Sequence, residues 1–422
     1  MLKRAATSPG RLVALICLAQ VLGQIGAYTW PALLPEFIPL WGLDYSEAGW
    51  ITAAFYLAYM LSVPILVTLT DRIDPRRVYL FGVGCTILAH LLFAFFADGF
   101  WSATATRALA GIGWAGTYMT GLKLLADRVD GKLLSRAVTW HAASLGISGA
   151  LSFVIAGGLA GSWGWQGAFV IAAACAGIAW LIAALFAPKQ EPKPSGPGSA
   201  VGSAPGSAPA SAWALFDFRP VFANRNAMAY SIGYCIHTWE MGAMRGWAVT
   251  FLAYVALRDG VETTWFGPTV MATAMALFGT WASVFGNEMS IRLGRQRLVR
   301  IAMAASIVCA VAMGFVGAFS YPLAASLLVI YGMVIWLDSS SLTAGAAGNA
   351  DPERRGATLA VHSMLGYGGG FVGPLVVGVI LDQAGGPSHM AWGLAFGHIA
   401  LAMLAARIAF TWLRPQNIAG DR

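Results

Sequence analysis

One apolar stretch of the chain, residues 227–254, contains side chains that can exchange protons or carry charge. They are Tyr234, His237, Glu240 and Arg245. His237 and Glu240 lie three residues apart, so they share one face of a helix. Both can gain and lose protons, and low dielectric favours the protonated form of a carboxylic acid. The pattern predicts a proton-exchange site. The alternative is that Glu240 pairs with Arg245 or Arg107 and only holds two helices together.

Arg107 and Arg245 are the two cations that lie deepest within apolar runs. Arginine stays charged in proteins, so each guanidinium must face an anion. That anion is either a carboxylate of the protein or an anionic group of a substrate, such as a carboxylate, a nitrate-like or a phosphate-like group. We therefore consider substrate binding for both arginines, with a fixed ion pair between helices as the alternative.

Further candidates lie in other apolar runs. Asp338, followed by three serines, is either a second proton site, a gate partner of a loop arginine, or an acid satisfied by those serines. His141 and His362 occupy roughly corresponding runs and are candidates for lining a central cavity. A lone histidine on an apolar face is more often a packing residue. Tyr367 is a candidate for stacking on a substrate, although aromatic residues in membranes usually belong to the core or to the interfacial belt.

The composition places these side chains in a membrane. Of 422 residues, 58% are hydrophobic and 11% are charged, whereas about 25% are charged in soluble domains. The net charge of +7 lies mostly in short loops, so we expect no nucleic-acid partner. The chain has no phosphate-binding Gly-x-x-x-x-Gly-Lys motif, and the His237–Glu240 pair lacks the second histidine of a His-Glu-x-x-His enzyme. We expect no enzyme activity, no cofactor and no metal.

Twelve stretches are long enough to span a hydrocarbon core, which needs about 20 residues. They are residues 11–32, 46–68, 78–97, 102–123, 138–160, 165–187, 227–254, 265–288, 297–316, 322–345, 357–381 and 389–412. Even-numbered loops and the termini carry nearly all loop arginines and lysines, whereas the opposite loops carry only Arg258. This asymmetry predicts that both termini are cytoplasmic.

A Pro-, Gly-, Ser- and Ala-rich segment separates the first six spans from the last six. We predict an N-terminal bundle of residues 1–187, a flexible cytoplasmic linker with a possible interfacial helix over 188–225, and a C-terminal bundle of residues 226–422. The halves echo each other, since Arg136 precedes a span with His141 and Arg355 precedes a span with His362. Two similar halves that hold a substrate near the midplane are a recurring transporter design.

Two motifs resemble those of the major facilitator superfamily. The loop Leu69-Thr70-Asp71-Arg72 to Arg76-Arg77 is similar to the signature of that family between spans two and three, with Val67 and Asp74 at two usual glycine positions. Arg107 followed by Gly111 resembles the motif of span four. Span five lacks the Gly-Pro pair of many drug antiporters, and Gly373-Pro374 lies in span eleven instead.

The resemblance implies an all-α fold of two pseudo-symmetric six-helix bundles that alternate access by rocking. It also implies a mechanical role for the loop: Asp71 would bond to helix ends and close the cytoplasmic side, with Arg72, Arg76 and Arg77 as neighbours. The alternative is that these arginines only fix the topology. The family further implies that Arg107 handles protons or substrate.

Together these patterns lead to one favoured hypothesis and two rivals. We expect a monomeric, proton-coupled carrier of a small organic or inorganic anion in a bacterial inner membrane. A drug or metabolite efflux antiporter is the first alternative, favoured if Arg107 and Arg245 are already neutralised by Glu240 and Asp338. The second is a membrane protein without transport, such as a sensor, an assembly factor or an embedded enzyme.

Overall fold

The computed structural model describes residues 8–70, 72–189, 218–262, 266–351 and 354–415, without the side chains of residues 131, 132 and 135. The described chain is built from α-helices. The first half contains α1 (Pro9–Gln24), α2 (Thr29–Trp41), α3 (Tyr45–Leu69), α4 (Pro75–Phe96), α5 (Phe100–Ala115), α6 (Tyr118–Ala126) and α7 (Gly131–Phe186). The second half contains α8 (Arg219–Ala223), α9 (Arg225–Asp259), α10 (Pro268–Leu293), α11 (Arg295–Phe315), α12 (Tyr321–Trp336), α13 (Ser339–Gly348), α14 (Arg355–Gln383) and α15 (His389–Leu413).

These helices accommodate the twelve predicted spans. Nine stretches of the described residues are long and apolar enough to cross a membrane. One of them, Arg136–Phe186, holds two spans, because the left-handed backbone of Gly164 (φ 67°) breaks α7 between them. The α5–α6 pair and α9 supply the last two. The all-α fold of twelve membrane helices is thus confirmed, while the predicted linker falls largely on residues 190–217, outside the described ranges.

The largest boundary difference concerns the first span. The sequence predicts 11–32, whereas the helical stretch runs from Pro9 to Trp41 with a turn at residues 25–28. Gly42 ends it in the left-handed region (φ 60°), where its N–H bonds to the Ile38 carbonyl. Proline inside a helix is locally unfavourable, and α2 contains both Pro35 and Pro39. Packing of its aromatic face overrides that local penalty, since Trp30 and Phe37 are fully buried and stacked 4.9 Å apart.

Three spans are interrupted between the two ends of the bundle. The breaks lie at residues 25–28 between α1 and α2, at 116–117 between α5 and α6, and at 337–338 between α12 and α13. Discontinuous membrane helices expose backbone groups and reorient side chains where solutes bind. Tyr28, Tyr118 and Asp338 lie at or beside these breaks, so the fold brings polar groups into an apolar interior.

The bundle has two chemically different ends. We call the end with the arginine-rich loops, near Arg72 and Arg292, the basic end, and the end at which α3 begins and α14 finishes the neutral end. At the neutral end α3 and α14 touch at backbone distance: a Cβ added to Gly378 would lie 2.1 Å from the Tyr45 carbonyl oxygen. Glycine is therefore required there for the two halves to meet.

Candidate functional site

Arg245 links the two halves through aromatic partners. Its Nη1 donates to the Tyr28 hydroxyl at 2.5 Å, and its guanidinium carbon lies 4.9 Å from the centre of the Tyr28 ring. On its other side, the Trp336 ring centre lies 4.7 Å away. Cation–π contacts of this kind partly compensate a buried guanidinium for lost water. Arg245 belongs to α9 and Tyr28 to the α1–α2 turn, so the contact crosses the interface between the halves.

Arg107 lies against the same turn from within the first half. Its Nη1 donates to the Ala27 carbonyl at 3.1 Å, and its guanidinium lies 4.5 Å from the Phe55 ring centre. Two donors at this place are buried without a hydrogen-bond partner among the described residues: Arg107 Nε and the indole Nε1 of Trp114. They lie seven residues apart on one face of α5, and Trp114 also packs on Phe55, with ring centres 5.0 Å apart.

The two arginines thus contact consecutive residues of one turn, Ala27 and Tyr28. Within the part of the chain that the structure describes, neither guanidinium forms an ion pair with a carboxylate. The alternative in which Glu240 neutralises Arg245 or Arg107 is not the observed geometry. Two buried cations with no carboxylate partner among the described residues, with Arg107 Nε and Trp114 Nε1 as free donors there, would stabilise an anion.

Glu240 is held by hydroxyl groups of its own half. The Tyr331 hydroxyl donates to Oε1 at 2.6 Å, and the Ser306 hydroxyl donates to Oε2 at 3.2 Å. The carboxyl group is 1% exposed and lies between α9, α11 and α12. A carboxyl group with hydroxyl partners can hold or release a proton without breaking an ion pair.

Asp338, at the break between α12 and α13, faces His237 of α9. The Nδ1 atom of His237 lies 3.1 Å from Asp338 Oδ1, and both side chains are buried. Neither ring nitrogen of His237 makes a hydrogen bond of good geometry among the described residues, so its approach to Asp338 is an electrostatic contact and not a hydrogen bond. Tyr234 stacks on His237 with ring centres 5.7 Å apart and on His362 at 4.2 Å, so an aromatic ring separates the two imidazoles.

The remaining candidates have structural partners. His362 lies 3.2 Å from the Ser231 hydroxyl and 3.3 Å from the Thr343 hydroxyl. His141 Nε2 lies 2.8 Å from the Tyr118 carbonyl, beside the α5–α6 break. The half-buried Tyr367 packs on Tyr59, with ring centres 3.8 Å apart, where α14 of the second half meets α3 of the first.

The loop motif at the basic end is only partly visible. Asp71 lies outside the described residues. Arg76 donates to the carbonyls of Ala184 at 2.5 Å and Ala183 at 3.4 Å, near the end of α7. Arg72 and Arg77 are exposed. Binding of the last carbonyls of a helix is a stabilising role for arginine, so Arg76 joins α4 to α7 within the first half.

Sequence reasoning missed a carboxylate at the neutral end. Asp382, in the last turn of α14, accepts from the backbone N–H groups of Tyr45 (2.9 Å) and Ser46 (2.6 Å), and from the Ser46 hydroxyl (2.5 Å). It thereby caps the start of α3 from the other half. A lone aspartate near a predicted loop carries no signal of such a long-range cap. The partners Tyr28, Tyr331 and Trp336 were missed because they are ordinary aromatic residues in sequence.

Within the described ranges, no group of three or more His, Cys, Asp or Glu side chains is arranged to hold a metal ion.

The chain aligns with the zebrafish (Danio rerio) Protein spinster homolog 3 at 22% identity over 306 residues, 71% of this chain and 60% of that protein. A second curated relative, from Bacillus subtilis, is 26% identical over 161 residues and is covered to 40%. The chain thus spans about half the length of these two relatives.

Solved structures share the fold. A bacterial homologue of the human lysosomal transporter Spinster, in an inward-facing and occupied conformation, superposes with a TM-score of 0.70 at 16% identity, covering 95% of this chain and 94% of that one. The nucleoside transporter NupG gives a TM-score of 0.73 at 14% identity, with coverages of 96% and 99%. The family model of the Major Facilitator Superfamily matches residues 16–374. The chain therefore belongs to the Major Facilitator Superfamily of membrane transporters.

Proposed function

We propose that this transporter moves a small organic or inorganic anion together with protons by alternating access between its halves. The observation that carries the proposal is the pair of buried guanidinium groups at the α1–α2 turn, which have no carboxylate partner among the described residues. A guanidinium in low dielectric requires a negative charge nearby. A substrate anion is the group that supplies this charge and then leaves with the transport cycle.

The location of the arginines supports alternating access. Arg107 contacts the turn from the first half and Arg245 contacts it from the second half. An anion that binds both would hold the halves together, and its release would free them to move. Substrate charge would thus be coupled to the relative position of the halves.

Two groups of the second half serve as proton carriers in this proposal. Glu240 would take up a proton among the hydroxyls of Tyr331 and Ser306, and Asp338, which faces His237, would be the second proton-exchange group. Protonation of either site would neutralise a buried charge that otherwise opposes the entry of an anion. We therefore assign symport, with proton and anion moving in the same direction.

The distribution of basic residues completes the proposal. Arginine-rich loops lie at one end of the bundle, and such loops remain on the cytoplasmic side. The basic end would face the cytoplasm of a bacterial cell, with both termini there, and the neutral end would face outward. Since the binding groups come from one chain, a monomer suffices for transport.

A proton-flux assay in liposomes tests the proposal. Purified protein is reconstituted with a pH-sensitive dye in the lumen, and small carboxylates, phosphate and nitrate are added outside, with a nucleoside as neutral solute. We expect acidification of the lumen with at least one anion and none with the nucleoside. Glu240→Gln should abolish the acidification, because glutamine occupies a similar volume without carrying a proton.

Glu262→Gln is the matched control, since Glu262 is exposed in a loop at the neutral end. It makes the same chemical change without touching the buried site, so its proton flux should equal that of the unaltered protein. Movement of cationic or hydrophobic drugs, without proton flux for any anion, would replace the proposal by drug efflux. Undiminished acidification with Glu240→Gln would remove Glu240 from the coupling mechanism.

A further inference from the structure

A groove on the side of the second half that faces away from the first half combines three arginines with an apolar floor. It lies between α11 and α15, and its volume is about 560 Å³. Arg297, Arg300 and Arg407 line it together with four apolar residues of α11, among them Ala304 and Val308. It is separate from the buried arginines of the transport site, because its lining side chains face away from the other half and are largely exposed.

The three arginines have no counter-ion within the described ranges. Arg297 and Arg300 lie one turn apart near the start of α11, at the basic end. Arg407 lies six residues before the end of α15, and its Nε donates to the Arg300 carbonyl at 3.4 Å. A guanidinium that lies about 9 Å inside the end of a membrane helix and faces lipid is costly unless an anion meets it.

The floor of the groove continues from the arginines toward the membrane centre. Ile301, Ala304 and Val308 follow each other along one face of α11, and Val308 is 67% exposed. The small alanine side chain leaves a channel between the helices that a flexible apolar chain can fill. The groove therefore places cations near the end of the bundle and an apolar track deeper in the membrane. A phospholipid has the matching arrangement, with a charged headgroup followed by an apolar acyl chain.

The corresponding helices of the first half show the contrast. There, α4 packs on α7, and the Arg76 guanidinium donates hydrogen bonds to the Ala183 and Ala184 carbonyls. Among the described residues, the guanidinium groups of Arg297 and Arg300 make no such hydrogen bonds to helix carbonyls, and both side chains are exposed at the groove. The first half thus closes its helix pair with protein groups, whereas the second half leaves the charges available.

We propose that this groove binds one anionic phospholipid of the surrounding membrane. The lipid phosphate would lie among Arg297, Arg300 and Arg407, and one acyl chain would follow the track past Ala304 to Val308. Basic pockets between membrane helices recognise anionic headgroups in this way. The bound lipid would neutralise Arg407 and fasten α11 to α15.

Native mass spectrometry of the full-length protein tests the proposal. Detergent-purified protein is mixed with equal amounts of phosphatidylglycerol and phosphatidylcholine that have the same acyl chains. We expect one retained phosphatidylglycerol and little phosphatidylcholine. Arg300→Gln/Arg407→Gln should weaken retention about 25-fold, since each arginine near an anionic lipid contributes about a fivefold preference. Arg292→Gln/Arg354→Gln, two exposed arginines at the same end, should leave retention unchanged.

A further variant tests the acyl-chain track, and a competitor distinguishes a bound lipid from bound free phosphate. Ala304→Trp fills the apolar track but keeps all three arginines, so it should also weaken retention if the acyl chain lies there. Inorganic phosphate at millimolar concentration should not displace the lipid. Equal retention by the double variant, equal retention of phosphatidylcholine, or displacement by free phosphate would each overturn the assignment of a phospholipid site.

Discussion

Two buried acids and two buried arginines of this protein differ in the partners that surround their charged groups. Glu240 is bonded by Tyr331 and Ser306, and Asp338 is paired with His237. Each acid therefore has partners from its own half that remain when the halves separate. Both acids are therefore partnered inside the second half, independently of the contacts between the halves.

The arginines have a different kind of partner. Arg107 donates to the Ala27 carbonyl and Arg245 to the Tyr28 hydroxyl, and both rest on aromatic rings. These groups carry only partial negative charge, so the positive charges are not neutralised by the described protein. The difference shows that the two kinds of charge lie apart: the acids have partners within the second half, while the arginines contact a turn between the halves.

The largest effect should follow from breaking the His237–Asp338 pair. Removal of one partner of a buried ion pair typically destabilises a protein by about 3–5 kcal/mol. We expect Asp338→Asn to lower the free energy of unfolding in mixed micelles by at least about 3 kcal/mol, because His237 loses the carboxylate that faces its Nδ1 atom. The same variant should lose anion-dependent proton flux.

A double-mutant cycle isolates the pair from its surroundings. His237→Gln/Asp338→Asn should be less destabilised than the sum of the two single variants, because the contact that each single variant loses is lost only once in the double variant. Additive losses would mean that the 3.1 Å contact carries no coupling energy. In that case Asp338 would be an ordinary polar residue of the helix break.

The arginines should show the reverse relation between stability and function. Charged hydrogen bonds contribute about 1.5–3 kcal/mol, so Arg107→Gln and Arg245→Gln should each weaken anion binding roughly 10- to 150-fold. Their free energy of unfolding should stay equal or rise, since an unneutralised buried cation is removed. Isothermal titration of the purified protein with the transported anion measures the first effect.

Lysine variants sharpen this test. Arg107→Lys keeps the charge but loses the planar fork, so anion affinity should fall less than with glutamine. A loss of stability comparable to that of Asp338→Asn would show that the arginines are structural cations. It would also break the contrast between the two kinds of charge.

Much of the fold follows from the sequence for physical reasons. A hydrocarbon core demands long apolar helices, and their lengths and the basic loops are visible in the residue order. The predicted first span covers only the roughly 20 residues that a hydrocarbon core needs, and the buried stack of Trp30 and Phe37 shows why the helix continues past Pro35 and Pro39.

The sequence suggests the members of the candidate site but not which of them contact each other. His237, Glu240, Arg245 and Arg107 stand out because charge is rare in membrane spans. Which acid meets which base depends on helix rotation and on the breaks at 25–28 and 337–338, and neither has a strong sequence signal. Hydroxyl and aromatic partners such as Tyr331 and Tyr28 cannot be distinguished from packing residues before the helices are arranged.

A third acid shows what a carboxylate does when it joins the halves. Asp382→Asn should loosen the neutral end, because the start of α3 loses a charged acceptor worth about 1–2 kcal/mol there. Hydrogen exchange of the Tyr45 and Ser46 amides should accelerate about 5- to 30-fold. Glu262→Gln, at the same end without a hydrogen-bond partner in the described chain, should leave their exchange unchanged. Unaltered exchange with Asp382→Asn would mean that the contact between α3 and α14 at the neutral end depends on glycine packing alone.

The smallest effects should come from removing one hydroxyl group beside a buried acid or beside a buried arginine. Tyr331→Phe deprives Glu240 of its 2.6 Å donor, and Tyr28→Phe deprives Arg245 of its 2.5 Å acceptor. We expect Tyr331→Phe to destabilise the protein by about 1–2 kcal/mol, because a buried acid loses a partner. Tyr28→Phe should leave stability within about 0.5 kcal/mol, since the ring still faces the guanidinium.

The same pair separates the two proposed tasks in transport. Tyr28→Phe should weaken anion affinity about fivefold at every pH, because it changes the site where the anion meets Arg245. Tyr331→Phe should instead alter how proton flux depends on pH while the affinity of the protonated transporter is kept. If both variants changed affinity alone, protons and anion would share one site, and the separation of acids from arginines would describe packing and not mechanism.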